Sequence, residues 1–255
     1  SANYPDNTYR FRQDSTFLYF FGLNRPKTVG LLDLDSGEDI LYGDDTSLED
    51  IIWTGPQPTL TELAYKVGIE HTQPINHLYK RIEAAAAKGR RIHYLPPYRA
   101  ETTLHISHLL GLMPDRVTAH ASTELARAVV ALREVKARCE IEEIEFACGI
   151  ASRMHRLAMR MCRPGTSERE IAGAIEGVAL QYGAGVSFPS IVTQNGQTLH
   201  NHDYSGTLQS GRLMLVDAGA ETTMNYCSDF TRTFPVSGYF TPKQKEIYDI
   251  VLAAN

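Results

Sequence analysis

The feature that most restricts how this chain can fold is a pair of strand-like runs near its end, each carrying an aspartate. Leu213 to Val216 is a short apolar run ending in Asp217, followed by Ala218-Gly219 and a polar turn. Tyr226 to Phe234 is a second run with Asp229 in its middle. Two β-prone runs joined by a Thr/Asn-containing segment predict a β-hairpin. With the turn centred near Thr223, Asp217 and Asp229 face one another across the pair. Like charges so placed repel, and sheets avoid them. A shared cation turns the repulsion into coordination, because hard divalent ions take carboxylate oxygens as ligands. Spacing alone also allows a plainer hairpin, with one aspartate in solvent near the turn and the other in a surface salt bridge.

At 255 residues the chain has room for two domains, each with its own core. Its hydrophobic content of 43% and charged content of 22% are those of a globular protein. A net charge of −5 points away from nucleic acid, which calls for a basic patch. No stretch approaches the ~20 apolar residues of a membrane helix, and the N-terminus lacks a secretory pattern. Cys139, Cys148, Cys162 and Cys227 show no C-x-x-C spacing and read as buried thiols of a reducing compartment. The expectation is a cytoplasmic protein that contacts neither nucleic acid nor membrane.

Along the first part of the chain, strand and helix signals alternate, an α/β pattern. Phe17 to Phe21 is aromatic and β-prone. Thr28 to Leu34 predicts a strand, punctuated by Asp35-Ser36-Gly37 and returned by Ile40 to Tyr42. Leu60 to Val67, Ile75 to Ala87 and Thr102 to Leu112 have helical spacing, and Ile92 to Leu95 predicts a strand stopped by Pro96-Pro97. From Thr123 to Met161 the chain reads as strongly helical, with Ile141, Ile144, Cys148, Ala151, Met154, Ala158 and Met161 as one buried stripe. Arg163-Pro164-Gly165 ends that helix. Ser167 and Glu170 form a capping box for the next, which ends at Gly183. Val186 to Thr193 reads as a strand entering a turn at Asn195-Gly196. The domains are drawn as 1–122 and 123–255, with the boundary inside 115 to 137.

The segments LMLVDAGAE and YCSDFTRTFPVSGYFTPKQKEIYDIVL resemble the metal-binding core of the pita-bread metallopeptidases, in the Xaa-Pro aminopeptidase and prolidase branch. Tyr9-Arg10, Gln13-Asp14, Tyr19-Phe20, Gly22-Leu23, Asn24 and Pro26 resemble the opening of that family's N-terminal domain. The run LREVKARCEIEEIEFACGIASRMHRLAMRMCRPGTSEREI resembles its first two catalytic-domain helices. The implied fold is α/β: a ribonuclease-H-like, creatinase/prolidase-type domain, then the first part of a pita-bread catalytic domain. The resemblance implies that Asp217 and Asp229 are two of five ligands to two divalent metal ions, Asp217 terminal and Asp229 bridging. The separation between them is one residue longer than the family's, with the extra residue inside Glu221 to Tyr226, where a turn or bulge can absorb it. His200 falls on the family's substrate-binding histidine and is expected to donate a hydrogen bond to the substrate or its tetrahedral intermediate. His202 stands where the family varies, and alternation gives the two histidines one face if the segment is extended.

The implied activity is metal-dependent removal of the residue before a proline, with prolidase activity as the alternative. Oxygen-rich ligands with a single nitrogen suit Mn²⁺ or a similar ion. The implied partners are peptides with proline in the second position and further copies of the chain, as a homodimer or higher homo-oligomer. The family's other ligands, one histidine and two glutamates, lie downstream of the second aspartate, so the chain is expected to be an N-terminal part of a longer enzyme. Two other classes compete: a pita-bread binding module without metal, and a metal-free hydrolase of the creatinase type. Retention of both aspartates and of His200 counts against the first, and Asp217 and Asp229 count against the second.

Overall fold

The computed structural model describes residues 2–4 and 7–255. It opens on an antiparallel pair, β1 (Ala2–Tyr4) and β2 (Asn7–Thr8), followed by a helix, α1 (Ser15–Phe21), where the aromatic run predicts a strand. The reason is local. Asp14 accepts from the amides of Thr16 and Phe17, and Gly22 ends the helix at φ 65°. Both ends are therefore capped, and Phe17 packs on Phe21 one turn later with ring centroids 5.0 Å apart. β3 (Val29–Asp33) and β4 (Glu38–Tyr42) form the predicted hairpin. A side chain at Gly30 of β3 would start 2.1 Å from the Phe21 ring, so α1 packs on bare backbone there.

Two elements have no strong sequence signal. α2 (Leu48–Thr54) buries no residue and rests on a Ser47–Asp50 capping box. After α3 (Leu60–Lys66), the polar segment β5 (His71–Gln73) adds parallel to β4. α4 (Ile75–Ala87) and α5 (Ala100–Leu110) follow the predicted spacing, and Gly111 stops α5 at φ 65°. Ile92 to Leu95 is not a strand. Its hydrogen bonds go to α6 (Pro114–Val117) and the turn after it: Tyr94 Oη donates to Val117 O at 2.7 Å, and Ser122 N donates to Tyr94 O at 2.9 Å.

The chain divides into two compact units, residues 1–135 and 136–255. α7 (Thr123–Arg133) belongs to the first unit. It is tied there by Tyr19 Oη, which donates to Leu132 O at 3.1 Å, and by Arg133, which donates to Thr16 Oγ1 at 3.0 Å.

The second unit begins with α8 (Arg138–Met161), separate from α7 rather than continuous with it. Ala147, Ile150, Ala151, Met154, His155 and Ala158 are its buried face, whereas Ile141, predicted in the stripe, is exposed in the first turn. α9 (Glu168–Tyr182) carries the predicted capping box. Val186 to Thr193 is two strands rather than one, β6 (Gly185–Val186) and β7 (Ile191–Thr193). Then come β8 (Leu213–Ala218), β9 (Ala220–Glu221), β10 (Phe230–Pro235) and α10 (Pro242–Ala254). β8 lies between β10 and β7, antiparallel to both, and β6 pairs with β9. Met214, Val216 and Ala218 face the core with Ile150, Met154, Ile171 and Ile175. Leu213, Leu215 and Asp217 take the other face, by alternation.

Among the described residues no helix is long and apolar enough to cross a membrane. Of the four cysteines only Cys162 is buried, where desolvation pushes its thiol up to about 11; Cys139 and Cys227 are exposed. The expectation of buried thiols therefore holds for one of them in full. α10 leaves Ile247, Ile250 and Val251 exposed.

Asp33 organises the charge of the first unit. Buried at the end of β3, it accepts from Arg90 and, at 2.8 Å, from Arg81, which also donates to Glu38 at 2.9 Å. The Arg90 and Arg81 guanidiniums hold its carboxyl far below the usual carboxylate range. A carboxyl depressed in the folded state stabilises the fold above its unfolded pKa of ~3.9 and loses that contribution as pH falls toward the folded value. Amide exchange in β3 and β4 should therefore accelerate between about pH 4 and pH 2. Asp33→Asn should remove this acid limb while raising exchange at neutral pH, and an unchanged acid limb would count against Asp33 as its source.

Candidate metal centre

The hairpin turns at Met224 rather than Thr223. Thr222 N donates to Tyr226 O at 2.8 Å, Glu221 bridges Cys227, and Ala218 pairs with Phe230, all in one unbroken register. The ladder has no bulge between these pairs, and Asn225 in the turn adopts φ 65°. A shift of one in the turn centre moves the partners by two. Asp217 pairs with Thr231, not with Asp229, and Asp229 comes level with Gly219. Asp229 and Thr231, two apart, share a face when extended, which still brings Asp229 diagonally beside Asp217.

The carboxyls meet. Partial desolvation, then the Asp217 charge and a hydrogen bond to Asp217, raise Asp229 above the ordinary carboxylate range. Asp217 Oδ1 is buried and has no hydrogen-bond partner in the protein. A buried acceptor left bare is costly. A raised carboxyl beside an unpaired oxygen is a donor set that fits a divalent cation. Among the described residues no third carboxylate, histidine or cysteine completes a metal-binding group.

The backbone is built to hold this pair. A Cβ at Gly219 would fall 1.8 Å from Ser228 O and 2.5 Å from Ser187 Oγ. Ser187 Oγ donates to Ser228 O at 2.7 Å, and Ser228 Oγ, buried, donates to Ala147 O of α8 at 2.9 Å and accepts from Ala220 N at 3.1 Å. His155, also on α8 and buried, donates from Nε2 to Ala218 O at 3.2 Å, with burial pushing its pKa down. α8 thus grips the hairpin on both sides of Gly219. Sequence reading missed His155 and Ser228 as site-supporting residues. The visible signal for His155 was a polar residue one helical turn from Ala151 on the buried stripe.

His200 and His202 lie elsewhere, on the exposed loop between β7 and β8. His200 is in a turn and the segment is not a strand, so alternation does not give the two a common face. The start of the loop lies on the sheet face that holds Asp217. Gly196 lies against Leu215, 3.1 Å from Cδ1 at the nearest point of an added Cβ, and Leu215 shares its face of β8 with Asp217.

Comparison with known proteins agrees with this architecture. Residues 142–255 match Metallopeptidase family M24, and residues 1–93 match Aminopeptidase P, N-terminal domain. The Xaa-Pro aminopeptidase of Escherichia coli is 31% identical over 260 residues, covering 97% of this chain and 58% of its own length. A probable Xaa-Pro aminopeptidase of Chaetomium globosum is 31% identical over 245 residues, covering 94% and 40%. Among solved structures, aminopeptidase P from E. coli has a TM-score of 0.82 at 28% identity, covering 99% of this chain and 60% of that one. Proline aminopeptidase P II from Yersinia pestis has a TM-score of 0.82 at 27% identity, covering 100% and 61%. The chain belongs to the pita-bread metallopeptidases, in the Xaa-Pro aminopeptidase branch. It spans about half the length of the curated relatives it matches.

Gly219→Ala should destabilise the second unit by about 3 kcal/mol or more, because the added methyl meets backbone that cannot step aside. Calorimetric melting checks this. A shift of Tm by less than about 2 °C would show that the hairpin and β6 can part without cost.

Proposed function

We propose that this chain is the N-terminal portion of a metal-dependent peptidase that removes the residue before a proline at a peptide N-terminus. The observation that carries the proposal is the Asp217–Asp229 pair, brought diagonally together by the hairpin register beside a buried Asp217 oxygen with no partner. Asp217 and Asp229 would be two of the ligands that hold two divalent ions, for which Mn²⁺ would suit an oxygen-rich set. When bound, such ions activate water and polarise the scissile carbonyl.

The protein's own part is positioning and hydrogen bonding. The hairpin holds both carboxylates in fixed register before any ion arrives, so little reorganisation is needed. His200 donates to the substrate carbonyl oxygen as negative charge develops on it, and His202 lines the same loop as a substrate contact. A proline in the second position presents a tertiary amide with no N–H and a fixed φ. A site that asks for no donor there accepts it where general peptidases do not. The relatives' names favour aminopeptidase over dipeptidase action. The proposed partners are peptides with proline second and further copies of the chain, as a homodimer or higher homo-oligomer. The proposed setting is the reducing cytoplasm.

In the full-length enzyme, release of the first residue from Xaa-Pro-Yaa peptides should vanish with chelator and with Asp229→Ala. His200→Ala should lower kcat about 10²-fold with a smaller change in KM, as removal of one transition-state donor does. Turnover that survives both chelator and Asp229→Ala would sink the proposal. The chain by itself, titrated with Mn²⁺ in a calorimeter, should show no submicromolar site, because two ligands leave most of the coordination sphere to water. A tight site there would assign further ligands within residues 1–255.

A further inference from the structure

Glu168 is a charged side chain that the site described above does not use. It is the first residue of α9 and only 2% exposed. Its carboxylate does not pair with a cation. Oε1 accepts from Gln194 N at 2.8 Å and Oε2 accepts from Gly206 N at 3.2 Å. Its own amide donates to Gly206 O at 2.9 Å, and the neighbouring Ser167 bridges Thr207. Gln194 is where the chain leaves β7, and Gly206 is where it returns. Between them runs the exposed loop that carries His200 and His202. One buried carboxylate therefore closes both ends of that loop against the start of a helix, where the free amides and the dipole favour negative charge.

The fit is close on the other side as well. A Cβ at Gly206 would lie 2.5 Å from Glu168 Oε2, so the residue at the neck has no side chain where the carboxylate needs space. Beyond the neck the loop is tied both to itself and to its surroundings, where Tyr204 Oη donates to Ser190 O and Arg212 donates to Asn195 Oδ1 at 2.7 Å. Asn201 Nδ2 donates to Thr193 Oγ1 at 3.2 Å, and Thr198 N donates to Asn195 O at 3.0 Å. At Gly196 it rests on Leu215, on the face that carries Asp217.

We propose that Glu168 is a positioning residue for His200: by closing the neck of the 194–206 loop, it sets where the loop presents that histidine over the Asp217 face of the sheet. The proposal rests on the reading of His200 as the substrate's hydrogen-bond donor. Glu168 touches no reacting atom and acts through the loop alone.

Two variants open the neck in different ways. Glu168→Gln keeps the shape but can turn an N–H donor toward an amide that also donates. Gly206→Ala keeps the carboxylate and pushes it away. In hydrogen-exchange mass spectrometry on the chain, each should speed exchange across residues 195–205 by ~10-fold or more, with α9 and β8 unchanged. In the full-length enzyme Glu168→Gln should lower kcat ~10-fold with little change in KM, yet cost less than ~2-fold in a His200→Ala background, because coupled residues are non-additive. Unchanged loop exchange in both variants overturns the clamp. An equal loss of kcat in both backgrounds overturns the link to His200. Full turnover in His200→Ala alone overturns the reading of His200, and with it the catalytic half of the proposal, whereas accelerated exchange would still report the clamp.

Discussion

The second unit depends on a close approach of backbone at Gly219. Three segments converge where a side chain would be: β8 running into β9, the Ser228 backbone, and Ser187 from the link between β6 and β7. Only because nothing projects there does the hairpin keep one register from Glu221–Cys227 through Ala218–Phe230. That register decides what stands beside Asp217. A slip of one residue would turn every side chain of β10 to the opposite face, sending Asp229 away and bringing a core residue out. The site is thus set by a clearance, and the carboxylates inherit their proximity from it.

Holding two carboxyls together costs energy in the absence of a cation. That cost shows in Asp229, raised by desolvation and by the Asp217 charge beside it, and in an unpaired buried oxygen on Asp217. α8 supplies the restraint that keeps the arrangement from relaxing. His155 and Ser228 tie its buried face to the hairpin on either side of Gly219. Functional sites supported this way are preorganised, with strain retained locally and stability supplied by the packing behind them. Here that packing is the apolar layer of Ile150, Met154, Ile171, Ile175, Met214 and Val216.

The two kinds of candidate group are mounted differently. Asp217 sits next to the end of β8 and Asp229 immediately before β10, where the backbone hydrogen bonds of the ladder limit movement. His200 sits on an exposed loop whose path is governed at its neck by Glu168. A fixed ligand pair and a donor on a tethered loop suit a reaction in which substrate must enter and product must leave.

The sequence by itself determined the chemistry and most of the elements. The apolar run into Asp217, the run around Asp229, the Ser167–Glu170 capping box and the periodicity of α4, α5 and α9 follow from local rules of alternation, capping and helical spacing. Those rules act over a few residues and are written in the residues themselves. They also explain one misreading: Phe17 to Phe21 has β-prone side chains, but Asp14 and Gly22 cap it as a helix. Tertiary structure decided the rest. β5 exists because β4 offers an open edge to His71–Gln73, which has no strand signal of its own. The exact partner of Asp217 depended on a turn centred on Met224 rather than Thr223, a difference that composition cannot resolve. His155, Ser228 and Glu168 gained their roles from contacts with segments far away in the chain, which no local pattern encodes. The physical reason is that local rules choose an element's type and face, whereas the clearance between elements chooses register, and register decides which polar groups meet.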